Sequence, residues 1–322
     1  MSQTSAKQKY KYDLCVIGGA GHVGLPFGVA FANGDVNTVL LDINEGALQK
    51  IQGGNFPFKE EGGEEALKSA LEKQMLWTST NPETIRQSKN VVVIIGTPVD
   101  QYLNPQFGDI MKLLDSHAHH FRDGQVVMLR STVFPGTTEK IQRYFLEKNK
   151  KVRVTFCPER ITQGYGIEEL RVLPQIISGF DKETIDEVTE LFSHITPTPV
   201  IVVKPIEAEL AKLFTNSWRY IRFAVANQFF MIANDHGLNY HAIEEAMKRD
   251  YPRNSDLPSP GFAAGPCLFK DTMQLAAFTN NNFWLGHAAM LVNEGLVNHI
   301  IKGLKREHGD TLKDKVIGIL GM

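Results

Sequence analysis

An apolar run that breaks into closely spaced glycines and then into a helical pattern leaves few choices of fold. Residues 13–26, "DLCVIGGAGHVGLP", have this form, with Gly19, Gly21 and Gly24 spaced G-x-G-x-x-G between a strand-like and a helix-like stretch. Such glycines let the backbone turn tightly and approach a pyrophosphate, whose charge then rests at the helix N terminus. The next apolar run, "NTVLLD", ends in Asp42. A carboxylate there binds the ribose diol of NAD and repels the 2′-phosphate of NADP. Turn and carboxylate together predict an NAD site.

Further β-branched runs follow, "NVVVIIG", "QVVMLR", "VRVTFCP", "QIISG" and "PVIVV", with amphipathic stretches over 22–33, 108–121 and 181–193. Continuous apolar strands alternating with helices predict an α/β, Rossmann-type doubly wound parallel sheet covered on both faces. Beyond Pro205 the period changes. Leu210, Leu213, Phe214, Trp218, Ile221, Val225, Phe229 and Ile232 fall on one helical stripe, with Gly237 as a terminator. The spacing predicts one long helix, with more at 240–248, 271–279 and 283–305. The expected domains are 1–205 for NAD binding, 206–309 as an all-helical central domain, and 310–322, where "LKDKVIGILGM" reads as one further strand.

The net charge of −2 and pI near 6.6 give no general attraction to nucleic acid or to an anionic membrane. The longest greasy run, 91–96, is too short to span a bilayer, and the polar, basic start of the chain has no apolar signal core. The expectation is a cytoplasmic protein with a small-molecule partner. Cys15, Cys157 and Cys267 are widely spaced and form neither a disulfide framework nor a zinc knuckle. The histidines of "SHAHH", His117 and His120 among them, lack a companion cluster, so an exposed helix face is expected and no metal.

Cys15 reads as a small hydrophobe in a strand, and Cys157 as core filler at a strand end. Cys267, in "GFAAGPCLFKD", follows a turn-rich approach and precedes a lysine, which suits a reactive thiol as well as it suits a filler. Lys212 and Asn216 share a helix face at i and i+4. Thr132 in "LRSTVFPGTTE", and Glu159 and Arg160 in "CPER", sit at strand ends, where α/β sheets place their ligand crevice.

Taken in order, "GGAGHVGLP", "IIGTPVD", "RSTVFPGTTE", "CPERITQG", "EAELAKLFTN" and "GFAAGPCLFKD" resemble the UDP-glucose/GDP-mannose dehydrogenase family of nucleotide-sugar 6-dehydrogenases. The resemblance implies an NAD domain, a central helical domain that forms a homodimer, and a C-terminal nucleotide-sugar domain of which only the first strand is expected here. It implies Cys267 as nucleophile, followed by Lys270 and Asp271. It implies Lys212 and Asn216 as helix partners, and Thr132 and Glu159 as the pair that orients hydrolytic water. Gly19, Gly21, His22, Val23, Gly24, Asp42, Thr97, Pro98, Thr132 and Lys270 are implied cofactor contacts. Glu159, Arg160, Lys212, Asn216, Arg253, Gly261 and Phe262 are implied substrate contacts. Ala263 and Ala264 stand where the family has glycines, which predicts strain if φ is positive there, and Pro266 removes one backbone N–H.

The chemistry so implied is oxidation of a UDP-sugar C6 alcohol to the uronic acid, with the sugar UDP-glucose or a UDP-N-acetylhexosamine such as UDP-N-acetylmannosamine. Two hydrides leave in turn for NAD, and a thiohemiacetal and then a thioester form on cysteine. Two other readings stand beside it. One is a two-electron β-hydroxyacid-type dehydrogenase, which needs no thiol. The other is a non-catalytic, NAD-binding dimeric fragment that turns over poorly because contacts to the substrate nucleotide are missing.

Overall fold

The computed structural model describes residues 10–96, 108–263, 266–309 and 311–318. The chain divides into two compact units, Met1–Lys212 and Leu213–Met322.

In the first unit the elements run β1 (Tyr12–Ile17), α1 (Gly24–Asn33), β2 (Thr38–Leu41), α2 (Glu45–Gln52), α3 (Gly63–Glu72), β3 (Leu76–Ser79), α4 (Glu83–Arg86), β4 (Ser88–Val93), α5 (Gly108–Ser116), β5 (Val126–Leu129), α6 (Thr137–Glu147), β6 (Arg153–Phe156), α7 (Gly166–Val172), β7 (Ile176–Ser178), α8 (Lys182–Ser193) and β8 (Ile201–Val203). Six parallel strands form one sheet in the order β3-β2-β1-β4-β5-β6, and β7 pairs with β8. Cys15 stands opposite both Val39 and Val91, so β1 lies at the centre, where the winding reverses and the strand ends open a crevice.

Alternation along β1 explains the unbroken apolar stretch from Leu14 to Ile17. Leu14 and Val16 join a core with Leu25, Phe27 and Phe31 of α1, whereas Cys15 and Ile17 join a second core with Leu114, Ile141 and Phe145. Both faces are covered from Leu14 to Ile17, so no position in that stretch is left for a polar residue. The short strand "LWTS" has no such signature: Trp77 is exposed and Thr78 and Ser79 are half-buried, so the apolar pattern does not predict it. The pair β7–β8 abuts the sheet through a side chain: the Ser178 hydroxyl donates to Phe156 O at 2.9 Å and accepts from Phe156 N at 3.1 Å.

Helix α9 (Pro205–Asp235) is continuous, and the second unit adds α10 (Tyr240–Lys248), α11 (Pro266–Phe278) and α12 (Trp284–His308). The division between units falls inside α9. Its first turns are bonded to the first unit: Glu209 accepts from Gly136 N and Thr138 N, and Lys212 Nζ donates to Glu159 O.

The apolar stripe of α9 does not form one buried face. Leu213 is fully buried, but Phe214, Val225, Phe229 and Ile232 are exposed, and Trp218 is 57% accessible. The buried face of this helix in the second unit carries Asn216, Ser217, Tyr220, Ala224 and Asn227 instead.

Helix α11 begins at Pro266, five residues before the expected start at 271, so Cys267 lies inside its first turn and not on a preceding loop. Proline at a first helical position gives up an N–H that has no intrahelical partner there. Ala263 is absent from the residues with positive φ and packs on the cluster of Tyr220, Ala224, Leu268 and Ala289, so the expected strain does not occur at that position. Ala264 lies outside the described residues. So do Thr97 and Pro98. Over 311–318 no strand is assigned, and 319–322 lie outside the described residues.

Candidate functional site

In the first unit the glycine turn does what its spacing predicts. A side-chain carbon on Gly24 would stand 2.1 Å from Gly18 O, so α1 can approach β1 only without one. Gly18, which the sequence pattern did not single out, holds the left-handed conformation at φ +81°. Gly21 differs: a Cβ there meets nothing of the protein closer than 3.4 Å, so packing does not demand this glycine and a close-lying ligand would. The N terminus of α1 has no side-chain cap and no acidic residue in its first turn, which leaves its positive end for an anion. His22 stacks on Phe58, ring centroids 4.0 Å apart, beside the turn.

Asp42 accepts Ala20 N–H on Oδ2 and Asn44 N–H on Oδ1, both at 2.9 Å, which fixes the carboxylate while each oxygen keeps a lone pair for a further donor. A cavity of about 390 Å³ opens here, lined by Gly18, Gly21, Asp42, Ile43, Pro82 and Leu113. Ile43 is 98% exposed, an apolar surface next to the Asp42 carboxylate. These residues fit a dinucleotide. His117 also lines this cavity, and His120 Nδ1–H donates to Glu83 Oε2 at 2.9 Å. The histidine run is therefore not the plain exposed helix face expected. Burial and its two histidine neighbours lower the His117 pKa. Among the described residues no group of three metal-ligating side chains forms, and no helix is long and apolar enough to cross a membrane.

The strand-end residues converge on a buried guanidinium that the sequence reading missed. Arg130, at the end of β5, donates from Nε to Glu159 Oε2 at 2.7 Å, from Nη1 to Cys157 O at 3.2 Å and from Nη2 to Gln175 Oε1 at 3.0 Å. Its charge also lies 4.6 Å from the centre of the Phe27 ring. The other Glu159 oxygen accepts the amides of Arg160 and Ile161, at 2.7 and 2.9 Å. A lone arginine closing an apolar strand, next to a strand followed by Glu159 three residues past its end, was the available signal. Arg160 turns its guanidinium onto Pro174 O, and burial lowers its pKa.

Lys212 Nζ donates to Glu159 O at 2.5 Å. One turn earlier, Glu209 accepts Gly136 N, Thr138 N and the Thr138 hydroxyl, at 2.5, 2.8 and 2.5 Å, and so caps α6. That fixes the end of the loop that carries Thr132. Burial raises the Glu209 pKa against these bonds.

In the second unit, Asn216 Nδ2 donates to Asp271 Oδ2 at 2.5 Å, and Lys270 Nζ lies 3.6 Å from Asp271 Oδ1. Cys267 is exposed. Cys15 and Cys157 are buried, and burial pushes their thiols up to about 12 and about 11. Gly261 N–H donates to Asn227 Oδ1 at 2.8 Å, Phe262 is exposed, and Arg253 Nη1 donates to the Tyr251 hydroxyl at 3.1 Å. Asn227 and its partner Asn293 were also missed, since asparagines inside helical patterns read as tolerated surface residues.

Residues 12–196 match the NAD binding domain of the UDP-glucose/GDP-mannose dehydrogenase family, and residues 206–295 match its central domain. A UDP-N-acetyl-D-mannosamine dehydrogenase of Methanococcus vannielii is 30% identical over 321 residues, covering 97% of this chain and 73% of that protein. The structure of a UDP-D-ManNAc dehydrogenase from Pyrococcus horikoshii aligns with a TM-score of 0.84 at 25% identity, over 92% of this chain and 72% of that one. A UDP-glucose dehydrogenase from Pyrobaculum islandicum aligns at 0.82 and 25%, over 94% and 72%. With the glycine turn and Asp42 inside the first matched region and Lys212, Asn216 and Cys267 inside the second, the chain belongs to the UDP-glucose/GDP-mannose dehydrogenase family of NAD-dependent nucleotide-sugar dehydrogenases.

Proposed function

We propose that this dehydrogenase oxidises the C6 alcohol of a UDP-sugar through to the carboxylate, with the carbon held on Cys267 between the two oxidations. The contrast among the three cysteines carries the reading. Two are buried with raised pKa values, while Cys267 is exposed in the first turn of α11, where helix amides favour negative charge. The names of its relatives favour a UDP-N-acetylhexosamine, with UDP-N-acetylmannosamine first and UDP-glucose second.

Gly19, Gly21, His22, Val23, Gly24 and Asp42 hold NAD, together with Thr132, Lys270, Thr97 and Pro98. The chemistry supplied by bound NAD is hydride acceptance, twice per sugar, taking alcohol to aldehyde and the cysteine adduct to thioester. Lys212, as the neutral amine, would receive at Nζ the C6 hydroxyl proton in the first oxidation and, after passing it to solvent, the hydroxyl proton of the cysteine adduct in the second. Cys267 Sγ then bonds to the aldehyde carbon, and its proton ends on the former aldehyde oxygen. Lys212 and Asn216 donate to that oxygen as charge develops. Asp271, bonded to one Asn216 N–H, keeps the amide turned so that the other can donate.

Glu159 and Thr132 orient the water whose oxygen replaces sulfur on the acyl carbon, releasing the acid and the thiol. Arg130 and two backbone amides hold Glu159, and this suits it to orientation. Arg160, Arg253, Gly261 and Phe262 contact the substrate. The exposed Phe214, Trp218, Val225, Phe229 and Ile232 recur at helical spacing along α9, and we assign them to a homodimer interface. The cytoplasm, where NAD and nucleotide sugars are abundant, is the proposed location.

Counting NADH released per sugar tests the reading, together with mass spectrometry of quenched protein for an acyl adduct on Cys267. Two NADH and an adduct are expected. One NADH per sugar, with full activity in Cys267→Ala, would favour the two-electron reading and refute this one.

A further inference from the structure

We propose that Asn227 and Asn293 are positioning residues for the segment that leads into Cys267. The proposal rests on the reading of Cys267 as nucleophile. Both asparagines are buried within the second unit, at 0% and 5% exposure, on α9 and α12. Apolar side chains would normally fill such positions, because a buried amide is costly unless its groups are bonded.

Here they form a directed chain. Gly261 N–H donates to Asn227 Oδ1 at 2.8 Å, Asn227 Nδ2 donates to Asn293 Oδ1 at 2.9 Å, and Asn293 Nδ2 donates to Tyr220 O at 3.0 Å. The orientation of each amide follows from its ends. A backbone N–H can only donate and a backbone carbonyl can only accept, so reversing either asparagine would set like groups against each other.

The segment is tethered on both sides of Gly261. Ser259 Oγ donates to Glu244 Oε1 at 2.8 Å, and Ala263 packs on the Tyr220 cluster. A side chain on Gly261 would meet nothing within 4 Å, so its position is set by the hydrogen bond and not by packing. The asparagine pair thus fixes the backbone six residues before Cys267 without touching a reacting atom.

The test separates positioning from stability. In Asn227→Leu/Asn293→Leu the amide–amide bond is replaced by apolar groups of similar size, while Gly261 N–H and Tyr220 O lose their partners. A folded protein with a melting temperature lowered by a few degrees is expected. Exchange of the Gly261 amide should become faster, and kcat/KM for the UDP-sugar should fall about fivefold or more, the factor set by one lost hydrogen bond. Asn293→Ala, which leaves the Asn227 carbonyl facing Gly261, should give smaller changes of the same sign, and it decides the matter if the double variant fails to fold. Unchanged amide exchange, or faster exchange with unchanged kcat/KM, in whichever variant folds would overturn the proposal. A wild-type acyl adduct on Cys267 alongside indifferent asparagine variants would remove only the positioning role. Full two-NADH turnover by Cys267→Ala would remove the nucleophile reading beneath it.

Discussion

Replacing Arg130 by methionine should be among the most damaging single changes in the first unit, through the charge left behind. The guanidinium is fully buried and meets Glu159 at 2.7 Å, with the Glu159 side chain 11% accessible. Removing one member of a buried pair costs about 3–5 kcal/mol, because the remaining charge has lost its compensation. The bonds to Cys157 O and Gln175 Oε1 add roughly 0.5–1.5 kcal/mol each. Arg130→Met/Glu159→Gln removes the charge, and its amide oxygen can still accept from Arg160 and Ile161 N–H. The double variant should recover about 2 kcal/mol or more of the loss, a coupling measurable by urea denaturation in a double-mutant cycle. Amide exchange in β5 and β6 localises the effect. If the double variant is as unstable as Arg130→Met alone, the charge of Glu159 is not what Arg130 compensates, and the account of this assembly fails.

Cys15 gives a pH dependence whose sign follows from burial. Its thiol is pushed up to about 12, so the unfolded chain loses this proton first, and stability should fall by about 1.4 kcal/mol per pH unit as pH rises above roughly 9 towards 12. Denaturation midpoints between pH 8 and 10.5 should slope less in Cys15→Ala, and an equal slope would refute this. Asp42→Asn should weaken NAD binding about tenfold and let NADP bind, since the substitution removes both a charged acceptor and the repulsion of a 2′-phosphate. Calorimetric titration with each dinucleotide reads this, and an unchanged preference would count against the assignment of Asp42. Trp218→Glu should convert a dimer to monomer in sedimentation velocity, and identical mass distributions would dissociate α9 from any interface.

The strands of the sheet were legible wherever both faces are covered, because double coverage writes itself as an unbroken apolar run, as in "DLCVIG" and "NVVVIIG". Strand β3 was not, because a short edge strand carrying an exposed tryptophan leaves no such trace. The glycine turn and Asp42 were legible because a tight strand-to-helix turn and a carboxylate closing the next strand are written in residues close together in the chain. Arg130, Glu209 and Asn293 were not, because their partners lie 29, 71 and 66 residues away in sequence.

Helix α9 shows the division most plainly. Its length and period could be read from the chain, since a 3.6-residue repeat is a local property of the backbone. Which face turns inward could not: the buried face carries Asn216, Ser217 and Asn227, while Trp218 and Phe229 are left at the surface. An asparagine can be buried only when other segments bring acceptors and donors to its amide, and those segments are brought to it by folding and not by spacing. The sequence alone determined the parallel α/β layer and the glycine turn, and the family resemblance in it singled out Cys267 as the candidate nucleophile. The tertiary structure alone decided what holds Glu159, what caps α6 and what fixes Gly261, because each depends on hydrogen bonds between residues far apart in the chain.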